Sequence, residues 1–505
     1  MDEAGHGGDG RPGPGRAGGW WSGTGRPAPA GPASGRRRSR RAAPWHDYGQ
    51  LFTGCRVKGP STAVVAGQRD GRAPAGWIAH PRRKATRYDR TDPGQRQDRR
   101  DDARADRLRL VRLFRPVTES KRVRACGTPG TRADNAAVLR ITDATGTPAQ
   151  HTLGATGRVA GFAGLFRCAS VWVCMECSAR IAAHRAAELE KVLASYVSRG
   201  AYAVLVTFTM RHLFKHALAL LLAARALGWS RATSGGTWVK HRALTDFAGF
   251  CQVLEVTESL ENGWHPHVHA VLVFHSEPSP DALAALIDGM WSRWSAGLVK
   301  AGLPAPIKED AQGNPLGLDV QHLDRTAGAD RTFESVQAWA RYVCKGIAGE
   351  AALGPGKEAK GTNRSIKELM RDALIPQVWE NATTGETVET IDLQARAKLH
   401  EYERAMHGRK QMNWSQGDYD LRKGADLDDE QTDDQVLEQE LEGQDVAVIP
   451  WESWRRVEPR AAELLAVAER QGADAACAWL DALGVRWWRP TALTEHLGRR
   501  HERTG

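Results

Sequence analysis

No stretch of the 505 residues is a run of about 18 apolar side chains, the length a helix needs to cross a bilayer, so no membrane span is expected. The longest candidate, ALALLLAARAL from Ala217, is too short and carries Arg225. The first residues lack the apolar core of a secretory signal. Eight cysteines are too few, in a chain of this length, for a secreted disulfide scaffold. No G-x-x-x-x-G-K-[ST] loop is present: GPGKE at Gly354 lacks both the spacing and the hydroxyl residue. Internal repeats are absent, and so is the regular βα alternation of a parallel barrel. These absences leave a chain expected to work in the cytoplasm and without a phosphate-loop motor of its own.

The chain is basic, with 70 Lys and Arg against 60 Asp and Glu and a net charge of +10. Residues 1–105 hold about 21 basic and about 10 acidic residues, so roughly the whole excess lies there and any nucleic-acid surface further on must be a local patch. That segment is rich in Gly, Pro and Arg (GGDGRPGPGRAGGWW, SGRRRSRR) and sustains no helical or strand period. It is expected to be a disordered tail, the kind of sequence that translation from an upstream start would also leave. Order is expected from about Leu108. A cysteine-bearing region with a helix covers 106–200, strands and helices cover 201–360, and a helical extension covers 361–423. An acidic linker (DLDDEQTDDQVLEQELEGQD) lies within 424–449, and a final helical segment covers 450–505.

The richest stretch is NGWHPHVHAVLVF, Asn262 to Phe274. Residues two apart on a strand share a face, so His267 and His269 stand side by side, with Val268 opposite. Neutral imidazoles are good ligands for divalent ions, and a carboxylate would complete the set. The preceding strand, GFCQVLEVTES, offers two carboxylates. A two-residue Asn262-Gly263 turn sets Glu258 across from His267, whereas a one-residue bulge sets Glu255 across from His269. Both remain open at this point.

Two further groups carry chemistry. In ARYVCKG, Tyr342 and Lys345 are three apart on an expected helix and so share a face. A phenol of ordinary pKa about 10 is a poor nucleophile unless a cation assists it; the plainer reading is a core tyrosine beside a surface lysine. In CASVWVCMEC, Cys168, Cys174 and Cys177 can be joined by Cys126 into a thiolate quartet suited to structural zinc, with His184 as the competing fourth ligand. Cys251, Cys344 and Cys477 lie in apolar segments and are expected to be packing residues.

The order VLVTFTMRH, EVTESLENGWHPHVH, YVCK resembles the three motifs of rolling-circle plasmid replication initiators of the single-tyrosine HUH endonuclease type, closest to those of actinobacterial plasmids. The resemblance covers roughly residues 120–460 and includes GRKQMNWSQG (Gly408–Gly417). It implies an α+β fold, an HUH-like antiparallel sheet flanked by helices, with an N-terminal zinc-binding region and a mostly helical C-terminal part. It further implies that His267, His269 and Glu255 (Glu258 in reserve) hold a divalent Mg or Mn, that Tyr342 is the nucleophile and that Lys345 is its phosphate-contacting helper. The implied partners are plasmid origin DNA, a host helicase and a host DNA polymerase. Some relatives carry a glutamate four residues before the tyrosine; here that position is Ala338, and Glu334 lies a further turn away. Rival readings are an HUH transposase, a conjugative relaxase, an amidohydrolase-type hydrolase, and a zinc-dependent DNA-binding regulator without catalysis. The first two share the chemistry. A relaxase usually places its tyrosine before the histidines, and a hydrolase of that type needs a parallel barrel.

Overall fold

The computed structural model describes residues 92–130, 135–142, 157–322, 363–427, 431–438 and 443–490, together with the backbone of a short strand at 77–79. The chain enters through that strand, β1 (Trp77–Ala79), and a long helix, α1 (Pro93–Phe114). Helix α1 starts inside the segment expected to be a structureless tail, because Asp92 accepts from the Gln95 amide and Pro93 supplies a preset first turn. Over residues 94–102 it carries no apolar side chain and is held by polar groups, whereas Ala103, Leu110, Val111 and Phe114 beyond them are buried. Gln97, Arg100 and Arg104 all donate to Glu469, a carboxylate with no solvent exposure, at 2.9, 2.9 and 2.6 Å.

Helix α2 (Lys121–Ala125), strands β2 (Ala136–Thr142) and β3 (Val159–Ala163) and helix α3 (Met175–Ser198) follow. Then come β4 (Tyr202–Thr209), α4 (Leu218–Ala232), α5 (Gly235–Leu244), β5 (Phe247–Ser259), β6 (Gly263–Phe274), α6 (Pro280–Lys300) and β7 (Leu318–His322). Ser279 caps α6 by accepting from the Ala282 amide. Tyr342, Cys344 and Lys345 lie outside the described residues, as do Glu334 and Ala338.

Residues 361–423 are less helical than their sequence suggests. Beside α7 (Ile366–Leu374) and α8 (Leu393–Met406) they contain β8 (Asn363–Arg364), a β9–β10 hairpin (Gln377–Asn381, Thr387–Thr390) and β11 (Met412–Trp414). Short strands of two to five residues carry too little period to be read from sequence. β1 pairs with β9, and β11 (from the GRKQMNWSQG tract) adds to the edge of β5.

The central sheet is antiparallel, in the order β11-β5-β6-β4-β7, with β8 also against β5. Even-numbered residues of β4, β5 and β6 (Val204, Val206, Phe208, Leu254, Val256, Val268, Ala270, Leu272) are buried in a core shared with α4 and α6. These two helices cross closely: a Cβ on Gly297 would sit 2.6 Å from the Gly228 Cα, so both positions need glycine. The odd-numbered face is apolar only at one end. There, Ala203, Leu205, Cys251, Val253, Val271 and Val273 pack under Leu189, Val192, Leu193 and Tyr196 of α3.

A smaller three-stranded sheet, β12-β2-β3, joins distant parts of the chain, since β12 (Gln444–Pro450) pairs with β2. Helices Trp451–Val457, Ala461–Gln471 and Ala473–Ala482 pack on it through Trp454, Leu464, Leu465, Cys477 and Leu480. The acidic stretch contains a short helix, Asp433–Glu438, whose start is bonded by Arg185 of α3. The whole is an α+β arrangement of antiparallel sheets flanked by helices.

Candidate active site and metal centre

Past the apolar half of its odd face, the central sheet turns polar. The register sets His267 of β6 between Glu255 of β5 and Thr209 of β4, and His269 between Val253 and Thr207. Ser259 pairs with Gly263, so the hairpin loop is the three residues Leu260, Glu261 and Asn262 rather than a two-residue Asn-Gly turn. The longer loop decides which carboxylate joins the imidazoles. Glu255 shares their face, and its Oε2 lies 2.8 Å from Nε2 of His269. Glu258 falls on the opposite face, 2% exposed, where Arg364 of β8 binds it at 2.7 and 2.8 Å.

Each imidazole is held from behind. Thr209 Oγ1 lies 3.1 Å from Nδ1 of His267, and Thr207 Oγ1 lies 3.0 Å from Nδ1 of His269. A hydroxyl both donates and accepts, so it can serve either tautomer, and it fixes the ring plane in both. The two rings lie 6.1 Å apart with an interplanar angle of 22°. Sequence reading missed these threonines, although VTFTM already displays them at the same two-residue spacing as the histidines. It also missed His212, for which no periodic signal exists. Nε2 of His212 meets Nδ1 of His265 at 2.5 Å, and His265 abuts His267 edge to face, with centroids 4.3 Å apart.

Burial depresses this row of imidazoles. It pushes His267 down to about 4 against the pull of the Glu255 charge, pushes His265 down to about 3 with help from His267, and lowers His212. Near neutral pH the rings of His267, His265 and His212 are therefore uncharged, and neutral imidazole is the form that ligates a cation. Two imidazole nitrogens and a carboxylate form a donor set suited to Mn, Fe or Zn, and less so to Mg, which prefers all-oxygen shells. His267, His269 and Glu255 are not gathered as three ligand atoms around one point; Glu255 and His269 bond directly to one another.

Among the described residues, the group that is so gathered is the thiol quartet. Cys126, Cys168, Cys174 and Cys177 are all buried, with their sulfurs within 4.8 Å of one another. Measured separations are 3.6 Å (Cys126 to Cys174 and to Cys177) and 3.7 Å (Cys168 to Cys177). A disulfide needs about 2.05 Å. A tetrahedron with bonds of about 2.3 Å has edges of about 3.8 Å, so the quartet could hold a zinc-sized ion. His184, further along α3, is not in the group. Hydrogen bonding to the neighbouring thiols, Cys168 first, pushes Cys126 far down, while Cys168 and Cys174 are pushed up. Burial opposes the charge of Arg167, yet its electrostatic interactions with Glu176 and with the cysteine quartet outweigh it and raise the guanidinium. Cys251 and Cys477 are buried in apolar cores, where packing was expected of them.

The described residues thus form an antiparallel α+β scaffold with one gathered set of potential metal ligands, the thiol quartet, and with an imidazole pair beside a carboxylate on the central sheet. The chain is similar to a Streptomyces lividans protein named Protein rep, 28% identical over 365 residues, which span 62% of this chain and 76% of that one. It is also similar to a Streptomyces cyanogenus protein named Neomycin resistance protein, 28% identical over 247 residues, 40% of this chain and 54% of that one. No protein-family model and no solved structure matches the chain.

Proposed function

We propose that this chain is a plasmid replication initiator of the rolling-circle type, an HUH endonuclease that nicks and rejoins origin DNA through a single tyrosine. The likeness to the Streptomyces lividans Protein rep supports a replication protein of the Rep kind. The observation that carries the finer reading is local: two imidazoles on one strand, each braced by a threonine, beside a carboxylate on the same face.

In this reading Tyr342 attacks the scissile phosphorus. A bond forms from the phenolic oxygen to phosphorus, the bond to the 3′ oxygen breaks, and the 3′ oxygen takes up a proton while the phenol gives one up. The 5′ end stays joined to the protein as a phosphotyrosine, which keeps the phosphodiester energy for rejoining. Lys345 contacts the phosphate. A divalent cation, Mg or Mn, held by His267, His269 and Glu255 would supply Lewis acidity at that phosphate. The free 3′ hydroxyl primes a host DNA polymerase, and a host helicase opens the duplex, since the sequence carries no phosphate loop. The four thiols hold a structural zinc that braces the start of α3. The setting in this reading is the cytoplasm, with the plasmid DNA. Among the described residues no helix is long and apolar enough to cross a membrane.

A supercoiled plasmid bearing the cognate origin tests the reading. Wild type with Mn should give open circles carrying protein on the 5′ end, and Tyr342→Phe should give none. Nicking that survives Tyr342→Phe, or a wild type that leaves no covalent adduct, overturns it.

A further inference from the structure

Beside the polar half of the sheet, the loop after β4 projects apolar side chains into solvent. Leu213 is 48% exposed and Phe214 55%, and Leu260 at the tip of the β5–β6 hairpin is 60% exposed. Apolar side chains grouped at the surface and rimmed by polar residues mark interaction sites.

The loop is fixed rather than loose. A Cβ on Gly263 (φ +74°) would lie 2.8 Å from the Phe214 carbonyl oxygen, so the glycine lets the loop backbone rest directly on the hairpin. His212 anchors the front of the loop on His265 at 2.5 Å, and the Leu213 amide donates to Nδ1 of His216 at 3.1 Å, closing it. Lys398 of α8 stands 5.8 Å from the Phe214 ring centroid and 5.1 Å from that of the buried Trp264. The neighbourhood is mainly cationic: Arg211 and Lys215 are exposed on the same loop, with Lys398 beside it. Its acidic members are Glu261 at the hairpin tip and Glu401, which pairs with Lys398 at 3.5 Å.

An exposed ring on a rigid loop, flanked by cations, is the platform on which unpaired bases stack while lysine and arginine track the backbone. From Gly263, on which the loop rests, to His267 is about 13 Å along the strand, so a base on Phe214 would belong to the same short stretch of nucleic acid as a phosphate at the imidazoles. We infer that Phe214, with Leu213 and Leu260 beside it and Arg211 and Lys215 around it, is the stacking platform for an unpaired base of the nick-site single strand. The inference rests on the nicking reading and adds where the strand lies.

Binding, measured without turnover, separates the two. Anisotropy of a labelled single-stranded oligonucleotide of the origin's nick region, in chelator, is compared for wild type, Phe214→Ala, Phe214→Tyr and Arg211→Gln. Phe214→Ala should weaken single-strand affinity about tenfold, Phe214→Tyr should restore it, and affinity for a duplex of the same sequence should change less than about twofold. Arg211→Gln should weaken both and flatten the salt dependence. Unchanged single-strand affinity in Phe214→Ala, with plasmid nicking intact, overturns the platform and leaves the nicking reading standing. A change in sedimentation state in place of a change in affinity assigns the patch to a second copy of the chain and likewise overturns it. A wild type that binds no single strand at all overturns both.

Discussion

Replacing Cys177 by serine should empty the thiol quartet and loosen the helix that begins beside it. The sulfur of Cys177 takes part in two of the three measured edges, to Cys126 at 3.6 Å and to Cys168 at 3.7 Å, each close to the roughly 3.8 Å of a tetrahedral zinc-thiolate site. Helix α3 starts immediately after Cys174, with no side-chain hydrogen bond capping it, so an ion held by Cys174 and Cys177 would anchor its first turn. Structural zinc sites bind with apparent free energies of about 10–16 kcal/mol, and a hydroxyl is a far weaker ligand than a thiolate. Even a fraction of that, felt locally, is several kcal/mol. Wild type purified without chelator should carry about one zinc per chain by mass spectrometry, while Cys177→Ser should carry much less and melt several degrees lower. Part of the loss should reach the central sheet, because α3 covers its odd face through Leu189 and Leu193. Wild type without zinc, or a serine variant with undiminished zinc and melting temperature, refutes the reasoning.

Glu469→Gln should cost about 3–5 kcal/mol in urea unfolding, because it leaves Arg100 and Arg104 facing a neutral amide in a buried site; a loss under about 1 kcal/mol contradicts the clasp. Thr209→Val should weaken Mn binding about tenfold by calorimetry, with Thr209→Ser near wild type, since only the hydroxyl braces Nδ1 of His267; equal affinities dismiss the brace. Chelated protein should lose stability as pH falls from about 6.5 toward about 4. The unfolded chain protonates its histidines near 6.5 and the folded chain protonates His267 only near 4, so acid favours unfolding across that window. His267→Gln should reduce the slope of urea midpoint against pH, and an unaltered slope counts against a buried neutral ring.

The centre of the molecule was readable because its signals are periodic. AVLVTFTM and HVHAVLVF alternate or run apolar, and Ser279 with Pro280 marks the start of α6. The choice between Glu255 and Glu258 was not readable. It turns on a single residue of loop length, and a three-residue loop puts Glu255 with the imidazoles and gives Glu258 to Arg364, more than a hundred positions away. Helix α1 was missed for a related reason. Its first half, residues 94–102, has no apolar side chain to betray it, and the carboxylate that Gln97 binds lies 372 residues further along. The pairings of β1 with β9 and of β11 with β5 join segments too short to carry a period.

The pairing of β2 with β12 has a consequence for how the protein is made. Ala136 on the first strand meets Pro450 on the second, so the strand that completes this sheet leaves the ribosome roughly three hundred residues after its neighbour. During that interval β2, with Val138 and Leu139 on it, offers a bare hydrogen-bonding edge to any passing chain. A product of premature termination before Gln444 would keep the strands that carry the imidazoles and yet be left adhesive, and demand for a chaperone should be greatest in that part of synthesis.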